Sequence, residues 1–539
     1  MRLLQMTVRG SGPLAQHQTE SEQRYTLKLC PDGDRTVELE ELCVDFSFDF
    51  YKADALFLNG YQSWSYCPER SRREYDNALR HVPKVLDQRF GLSQYGDGWF
   101  DAPLSAKDSR HGCKKGYTYA YARWGKQFYL FASLAEDSGF TRISFRPEEN
   151  LVRFEKDCAG RVLQPGETYT ALDLVFPMGD ENSVFDAWFA AMGVKALPAR
   201  PKLGYTSWYN CYQNISEAQI LRDLEGLRTL PVKPHIFQID DGFEPFVGDW
   251  LTVNAEKFPN GIEPIIRKIL DDGYQAGIWL APFVAEKDSA LYREHPDWFQ
   301  SRNGERVYAG SNWSGHYALD SNNPEVREYI RQSVQRFKDM GVTLFKLDFL
   351  YAACMSPRPD KTRGEIMAES MDFLRELVGD CEILGCGVPL ASAFGRVEYC
   401  RIGPDMSLDF DDKPWMRLLH NERPSTLHTQ RNTLYRRQLD GRAFRNDPDV
   451  FLLREENTTL SDEQKHTLAI VNALFGSVLF SSDDFSQYDE KKRRLFAALS
   501  ELQDAHLLRV DDGPRSGRLR TVIVTYRLNG EEKHLELRV

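Results

Sequence analysis

Among the 539 residues there is no Cys-x-x-Cys pair and no His-x-x-x-His spacing. Those absences argue against a zinc site or a dithiol redox centre. No phosphate-cradling Gly-rich loop is present either, and no G-x-G-x-x-G follows the first strand of the α/β region, which argues against an open doubly wound sheet. No apolar run is long enough for a membrane span. The opening Met1-Arg2-Leu3-Leu4-Gln5-Met6-Thr7 lacks the apolar core of a signal peptide. Positive charge is in deficit, with 68 Lys and Arg against 80 Asp and Glu and a net charge of −12. Nucleic acid or an anionic membrane is therefore a poor candidate partner. The ten cysteines are scattered, which leads us to expect free thiols and a cytoplasmic protein.

What is present is the composition of a globular enzyme, rich in aromatics that serve mostly as core. The length predicts two to four domains. In the first part Val44, Phe46, Phe48 and Phe50 alternate with polar residues, as one face of a half-buried strand does. Short β-like runs follow at Gln127–Leu134, Thr141–Phe145, Leu151–Glu155 and Thr168–Phe176, a sandwich-type pattern. A helix over Asn182–Met192 and the linker Leu197-Pro198-Ala199-Arg200-Pro201 close this part. From Gly204 the rhythm becomes strand, loop, helix. Strands begin at Gly204, His235, Gln275, Leu344, Cys381, Glu398, Asp449 and Ser477, and the helices between them carry capping signals at Ser216/Gln219, Asn323-Pro324 and Ser461/Gln464. Eight such repeats predict a closed (β/α)₈ barrel. After a last helix at Glu490–Gln503, Thr521–Arg527, Asn529-Gly530 and Lys533–Val539 spell a hairpin with a type I′ turn. The expected division is an N-terminal β-sandwich domain at 1–197, a barrel at 198–507 and a small C-terminal β appendage at 508–539.

Barrel enzymes work from the C-terminal ends of their strands. In strand four, Leu344 to Leu350, the apolar run is interrupted by Lys346 and Asp348, two residues apart and so on one side. A structural ion pair is one explanation. A catalytic carboxylate held ionised by its neighbour is the other. Carboxylates recur at other strand ends: Asp240 and Asp241 in strand two, Asp405 after strand six, Asp447 and Asp449 in strand seven, and Asp483 and Asp484 after strand eight. Trp208 and Trp279 stand beside them. Helix capping is the plainer explanation for Asp449, Asp483 and Asp484. Several carboxylates with tryptophan platforms and no metal or phosphate cradle suit glycoside hydrolysis, in which two carboxyl groups flank the bond and sugar faces stack on rings. No cofactor and no metal is expected.

These motifs in barrel order resemble the α-galactosidases (melibiases) of glycoside hydrolase family 36. They are Trp208-Tyr209, Gln238-Ile239-Asp240-Asp241, Gly277-Ile278-Trp279, Lys346-Leu347-Asp348-Phe349, Arg401-Ile402-Gly403-Pro404-Asp405, Asn446-Asp447-Pro448-Asp449 and the N-terminal Asn59-Gly60-Tyr61-Gln62-Ser63-Trp64. The resemblance implies a β-sandwich, a (β/α)₈ barrel, a C-terminal β domain and retention of anomeric configuration. It implies Asp348 as nucleophile, Asp405 as general acid/base, and Asp240, Asp241 and Lys346 as holders of galactose hydroxyls. Trp208, Trp279 and Arg401 would complete the sugar pocket, Cys386 and Gly387 its rim, and Trp64 would reach over from the sandwich. The two carboxyl groups should then lie about 5–5.5 Å apart. Met406-Ser407-Leu408-Asp409-Phe410-Asp411-Asp412-Lys413 is more acidic than in those enzymes, which opens the alternative of an α-N-acetylgalactosaminidase or α-galactosaminidase, and a related galactosyltransferase, which would share the nucleophile, is a second alternative. The expected partner is a small carbohydrate; monomer and homo-oligomer stay open.

Overall fold

The structure, a computed structural model, describes residues 1–74, 112–411, 424–516 and 519–539. Alternating burial builds the N-terminal part. In Arg24–Pro31 the side chains of Tyr25, Leu27 and Leu29 face inward while their neighbours face out. Two antiparallel sheets result, one centred on Val37–Ser47 and Leu151–Lys156, the other on Tyr169–Val175 and Gln127–Ser133. Phe46 joins them, edge-on to Tyr25, Phe154 and Phe176. The expected alternation stops earlier than read: the strand ends at Ser47, and Phe48 and Phe50 belong to a turn fastened to Asn150. Helix Glu181–Met192, capped by Asp180, then packs on the sandwich through Phe185 and Trp188.

Eight parallel strands follow: Lys202–Thr206, Ile236–Ile239, Gln275–Leu280, Leu344–Leu347, Glu382–Gly385, Tyr399–Arg401, Arg445–Asp447 continued by Val450–Phe451, and Val478–Ser481. We number them one to eight. Their order in the sheet is the order in the chain, with strand one hydrogen-bonded to strand eight. Closure falls on strand seven. Its first half pairs with strand six (Arg401 opposite Asp447), its second half with strand eight (Val450 opposite Phe480), and Pro448-Asp449 is the break between. A proline has no N–H for a ladder and suits such a break. The strands are buried on both faces, as the near-continuous apolar runs require. The capping box at Ser461/Gln464 is complete. At Ser216 only the serine half forms, because Gln219 turns instead to Cys211 and Asp223.

Two parts were not foreseen. Between strand three and the helix that opens at Pro324, a small antiparallel sheet of Val284–Glu286, Tyr308–Gly310 and His316–Ala318 rises over the barrel mouth. At the C-terminus the hairpin Leu519–Leu528/Glu531–Arg538 turns at Asn529 (φ 52°) and Gly530 (φ 83°), the two positive angles of type I′. It is joined by a third strand, His506–Ser516, which the sequence reading had not placed. Among the described residues no helix is long and apolar enough to cross a membrane. All ten cysteines are free.

Candidate active site

A cavity of about 810 Å³ opens at the C-terminal ends of the strands. Asp348 and Asp405 both line it, with Asp240, Asp241, Lys346, Trp208, Trp279 and Trp64. Strand register explains much of this grouping. Trp279 of strand three lies opposite Lys346 of strand four, and Asp348 is two residues further on the same side. Trp279 Nε1 donates to Asp348 Oδ2 at 2.9 Å, and the Phe349 amide donates to Asp348 Oδ1 at 2.9 Å. Phe349 is left-handed (φ 53°) and opens the short helix Leu350–Cys354 that leaves the strand. Asp348 thus sits as an oriented acceptor at the foot of the cavity.

Lys346 does not bond to Asp348, as the spacing had suggested. Its ammonium reaches Asp240 Oδ2 at 2.9 Å, where Gln238 Nε2 (2.9 Å) and Thr206 Oγ1 (3.1 Å) also donate. Burial opposes ionisation of both partners, but the attraction between them outweighs it: Asp240 is held below the ordinary carboxylate range and Lys346 above the ordinary ammonium range. Asp348 acts on Lys346 only through space.

Among the described residues no cation pairs with the adjacent Asp241. Trp313 Nε1 donates to it at 2.8 Å and Gln213 Nε2 at 3.2 Å. Burial pushes Asp241 up, and burial together with the Asp241 charge pushes the neighbouring buried Glu244 well up. Asp405 meets Arg401 Nη1 at 2.8 Å. Burial nevertheless raises Asp405 to about 7; the Arg401 charge opposes the shift and that of Asp449 adds to it.

Arg401, Cys386 and Gly387 are not among the lining residues. Arg401 lies behind Asp405. Cys386 and Gly387 form the seat of Trp64: the indole Nε1 donates to Cys386 Sγ at 3.2 Å, and the ring lies against Gly387. Trp64 therefore does extend from the sandwich into the barrel mouth. Asp484 caps the short helix Phe485–Gln487, as supposed. Asp483 caps nothing and instead ties Leu453, Arg454 and Tyr488 together. Asp449 is no helix cap either: it pairs with Arg401 at 2.9 Å and accepts from Tyr209. Asp409 lines the cavity and accepts from Thr459 Oγ1 at 2.7 Å, whereas Asp412 and Lys413 lie outside the described residues.

Several lining residues had not been singled out: Tyr209, Tyr212, Gln213, Asn312, Trp313 and Thr459. Trp313 belongs to the unforeseen excursion and is wedged between Trp279 and Phe349 in a left-handed backbone (φ 58°). Tyr209 was legible in principle, since it sits beside Trp208 at a strand end.

Fold and donor set define a (β/α)₈-barrel protein with a carboxylate- and tryptophan-lined cavity at its strand ends. The Melibiase family model matches residues 200–365. α-Galactosidase C of Emericella nidulans is 29% identical over a match that spans 55% of this chain and 40% of that protein. The chain spans less than half the length of the first curated relatives it matches. The solved structure of TtGalA, an α-galactosidase from Thermus thermophilus in complex with p-nitrophenyl α-D-galactopyranoside, aligns with a TM-score of 0.70 at 27% identity over 97% of this chain and 98% of that one. The family 36 α-galactosidase AgaA of Geobacillus stearothermophilus aligns at 0.62 and 15% identity, over 93% and 70% of the two chains, a likeness of fold. The chain thus shares the fold of these family 36 α-galactosidases, and its residues 200–365 resemble the melibiases in sequence.

Proposed function

We propose that this protein is a retaining exo-glycosidase that releases terminal α-linked galactose from galactosides by double displacement. The observation that carries the reading is the pair Asp348 and Asp405 on one cavity: the first fixed by two N–H donors, the second raised to about 7. Asp348 attacks the anomeric carbon while Asp405 gives its proton to the departing oxygen. Once Asp348 is esterified its charge is gone, so the pKa of Asp405 falls and the carboxylate takes a proton from the attacking water. Water then displaces Asp348 and leaves the sugar with its starting configuration. Asp240, Asp241 and Lys346 hold the sugar hydroxyls, and Trp208, Trp279 and Trp64 wall the ring. The galactoside complex of TtGalA supports the choice of sugar. The free thiols support a cytoplasmic setting.

Asp348→Gly tested on an aryl α-galactoside should lose activity by roughly three orders of magnitude or more and regain part of it with azide. Substantial activity in the variant alone would remove Asp348 as nucleophile. A second reading turns on Asp409, whose place on the cavity would favour an amino or N-acetylamino sugar through a charge-assisted bond. A panel of aryl galactoside, N-acetylgalactosaminide, galactosaminide and glucoside separates the two. Product analysis with and without added sugar acceptor separates hydrolysis from transfer.

A further inference from the structure

The break in strand seven places two carboxylates behind the cavity. Asp449 has φ 75°, a backbone region in which a side-chain-bearing residue costs about 1–3 kcal/mol. Its side chain is nonetheless firmly held, through hydrogen bonds on Oδ2 and an ion contact on Oδ1. Oδ2 accepts from Tyr209 and from the Met406 amide at 2.7 Å, and Oδ1 meets Arg401 Nη2 at 2.9 Å. Asp447 Oδ2 accepts from Arg401 Nε at 3.0 Å, and its Oδ1 from the Asp449 amide at 2.9 Å. Asp405 takes the remaining edge of the same guanidinium.

One buried cation thus faces three carboxylates. A second buried cation, Lys346, is engaged by Asp240, and Asp348 adds a further acid; Tyr209, Tyr212 and Cys386 are held neutral by burial. Three ionised carboxylates would leave two uncompensated charges in a desolvated pocket, so a proton must reside on one of them. Donor count decides which. Asp449 has two hydrogen-bond donors on Oδ2 and the Arg401 ion contact on Oδ1, and Asp447 has two donors, whereas among the described residues Asp405 has the Arg401 bond alone. Left to itself, Arg401 would be a one-to-one partner for Asp405 and would hold it ionised.

We propose that Asp447 and Asp449 are positioning residues that divide the Arg401 charge and so leave Asp405 as the proton-bearing carboxyl group of the cavity. The inference rests on the assignment of Asp405 as the acid. It gives a role to the Asn-Asp-Pro-Asp stretch that reaches beyond barrel closure. Tyr209, by anchoring Asp449, ties the same balance to strand one.

The test is Asp449→Asn, which keeps an acceptor for Tyr209 and Met406 but removes the charge. The basic limb of kcat/KM for an aryl α-galactoside should move down by about one pH unit, a tenfold loss of protonated acid above the limb. The infrared carbonyl band of protonated Asp405, identified by its loss in Asp405→Asn, should titrate lower by the same amount. Asp447→Asn removes a second claimant on Arg401 and should shift both readouts in the same direction, which keeps the proposal testable should Asp449→Asn fold poorly. Loss of activity in equal proportion at every pH, with limb and band unmoved, would overturn it. The band titrates whether or not substrate is cleaved, so a failed assignment of Asp405 as the acid leaves the band shift intact, while failure of the present inference abolishes it.

Discussion

At the scale of single residues the site is a matter of which charges find partners. Lys346 and Asp348 were legible because charges inside an apolar strand need a reason. What could not be read is that the ammonium belongs to Asp240, since pairing across strands two and four depends on how far each side chain reaches into the barrel. Asp405 was legible as an acid at a strand end, but the rise to about 7 depends on burial and on the sharing of Arg401, neither of which is written in spacing. The shift sets a pH dependence. A raised carboxyl group is protonated below its pKa, and the protonated form is the active one, so kcat/KM should hold below about pH 7 and fall as pH rises through it. Removing the group should remove the limb. In Asp405→Ala, an activated aryl galactoside should be cleaved with no basic limb near 7, while substrates with poor leaving groups should slow by roughly 10²–10⁴-fold. A limb that survives the substitution would assign it to another residue.

At the scale of elements, the barrel was readable because each strand is an apolar run and each helix opens on a cap. The residues those strands carry to their ends were therefore readable too. The excursion at 284–318 was not, because its strands are three residues each and carry no alternation to detect. It supplies Trp313. Gly387, after strand five, shows how one loop shapes the cavity without touching it. Its φ is +59°, and a Cβ there would stand 2.8 Å from the Trp64 ring. Gly387→Ala should therefore cost about 1–2 kcal/mol from backbone strain alone and push the indole out of its seat. The expected readouts are a lower melting temperature and a raised KM with a smaller change in kcat, because Trp64 is a wall and not a reacting group. An unchanged KM would show that the indole can shift without consequence for sugar binding.

At the scale of the whole molecule, the sandwich is part of the site, because the loop that bears Trp64 is held by the barrel. Arg436, fully buried after helix Thr426–Tyr435, is the clasp. It donates to Asn59 Oδ1 at 3.0 Å, to the Ser63 carbonyl at 2.6 Å, to the Gln62 carbonyl at 3.1 Å, to Cys67 Sγ at 3.1 Å and to the Ile402 carbonyl at 2.9 Å. Five neutral acceptors from two domains on one side chain make this contact hard to replace, and composition offered no hint of it: an arginine on a helix reads as surface. On the far side, Arg520 of the C-terminal sheet reaches both Glu69 of the sandwich and Tyr435 of the barrel, so the third part is fastened to the other two. The described parts should therefore unfold together. Arg436→Met keeps the length of the side chain but strands the buried oxygens of Asn59 and Ser63, each worth about 1–3 kcal/mol when unsatisfied, and leaves the Gln62 and Ile402 carbonyls with one donor each, from Ser65 and Asn432. Calorimetry should show one transition in the wild type. In the variant it should show either a markedly lower single transition or a split in which the sandwich melts first, with KM raised wherever the protein is still folded. A variant that melts at the wild-type temperature with wild-type KM would mean that the Trp64 loop is held by something other than this clasp.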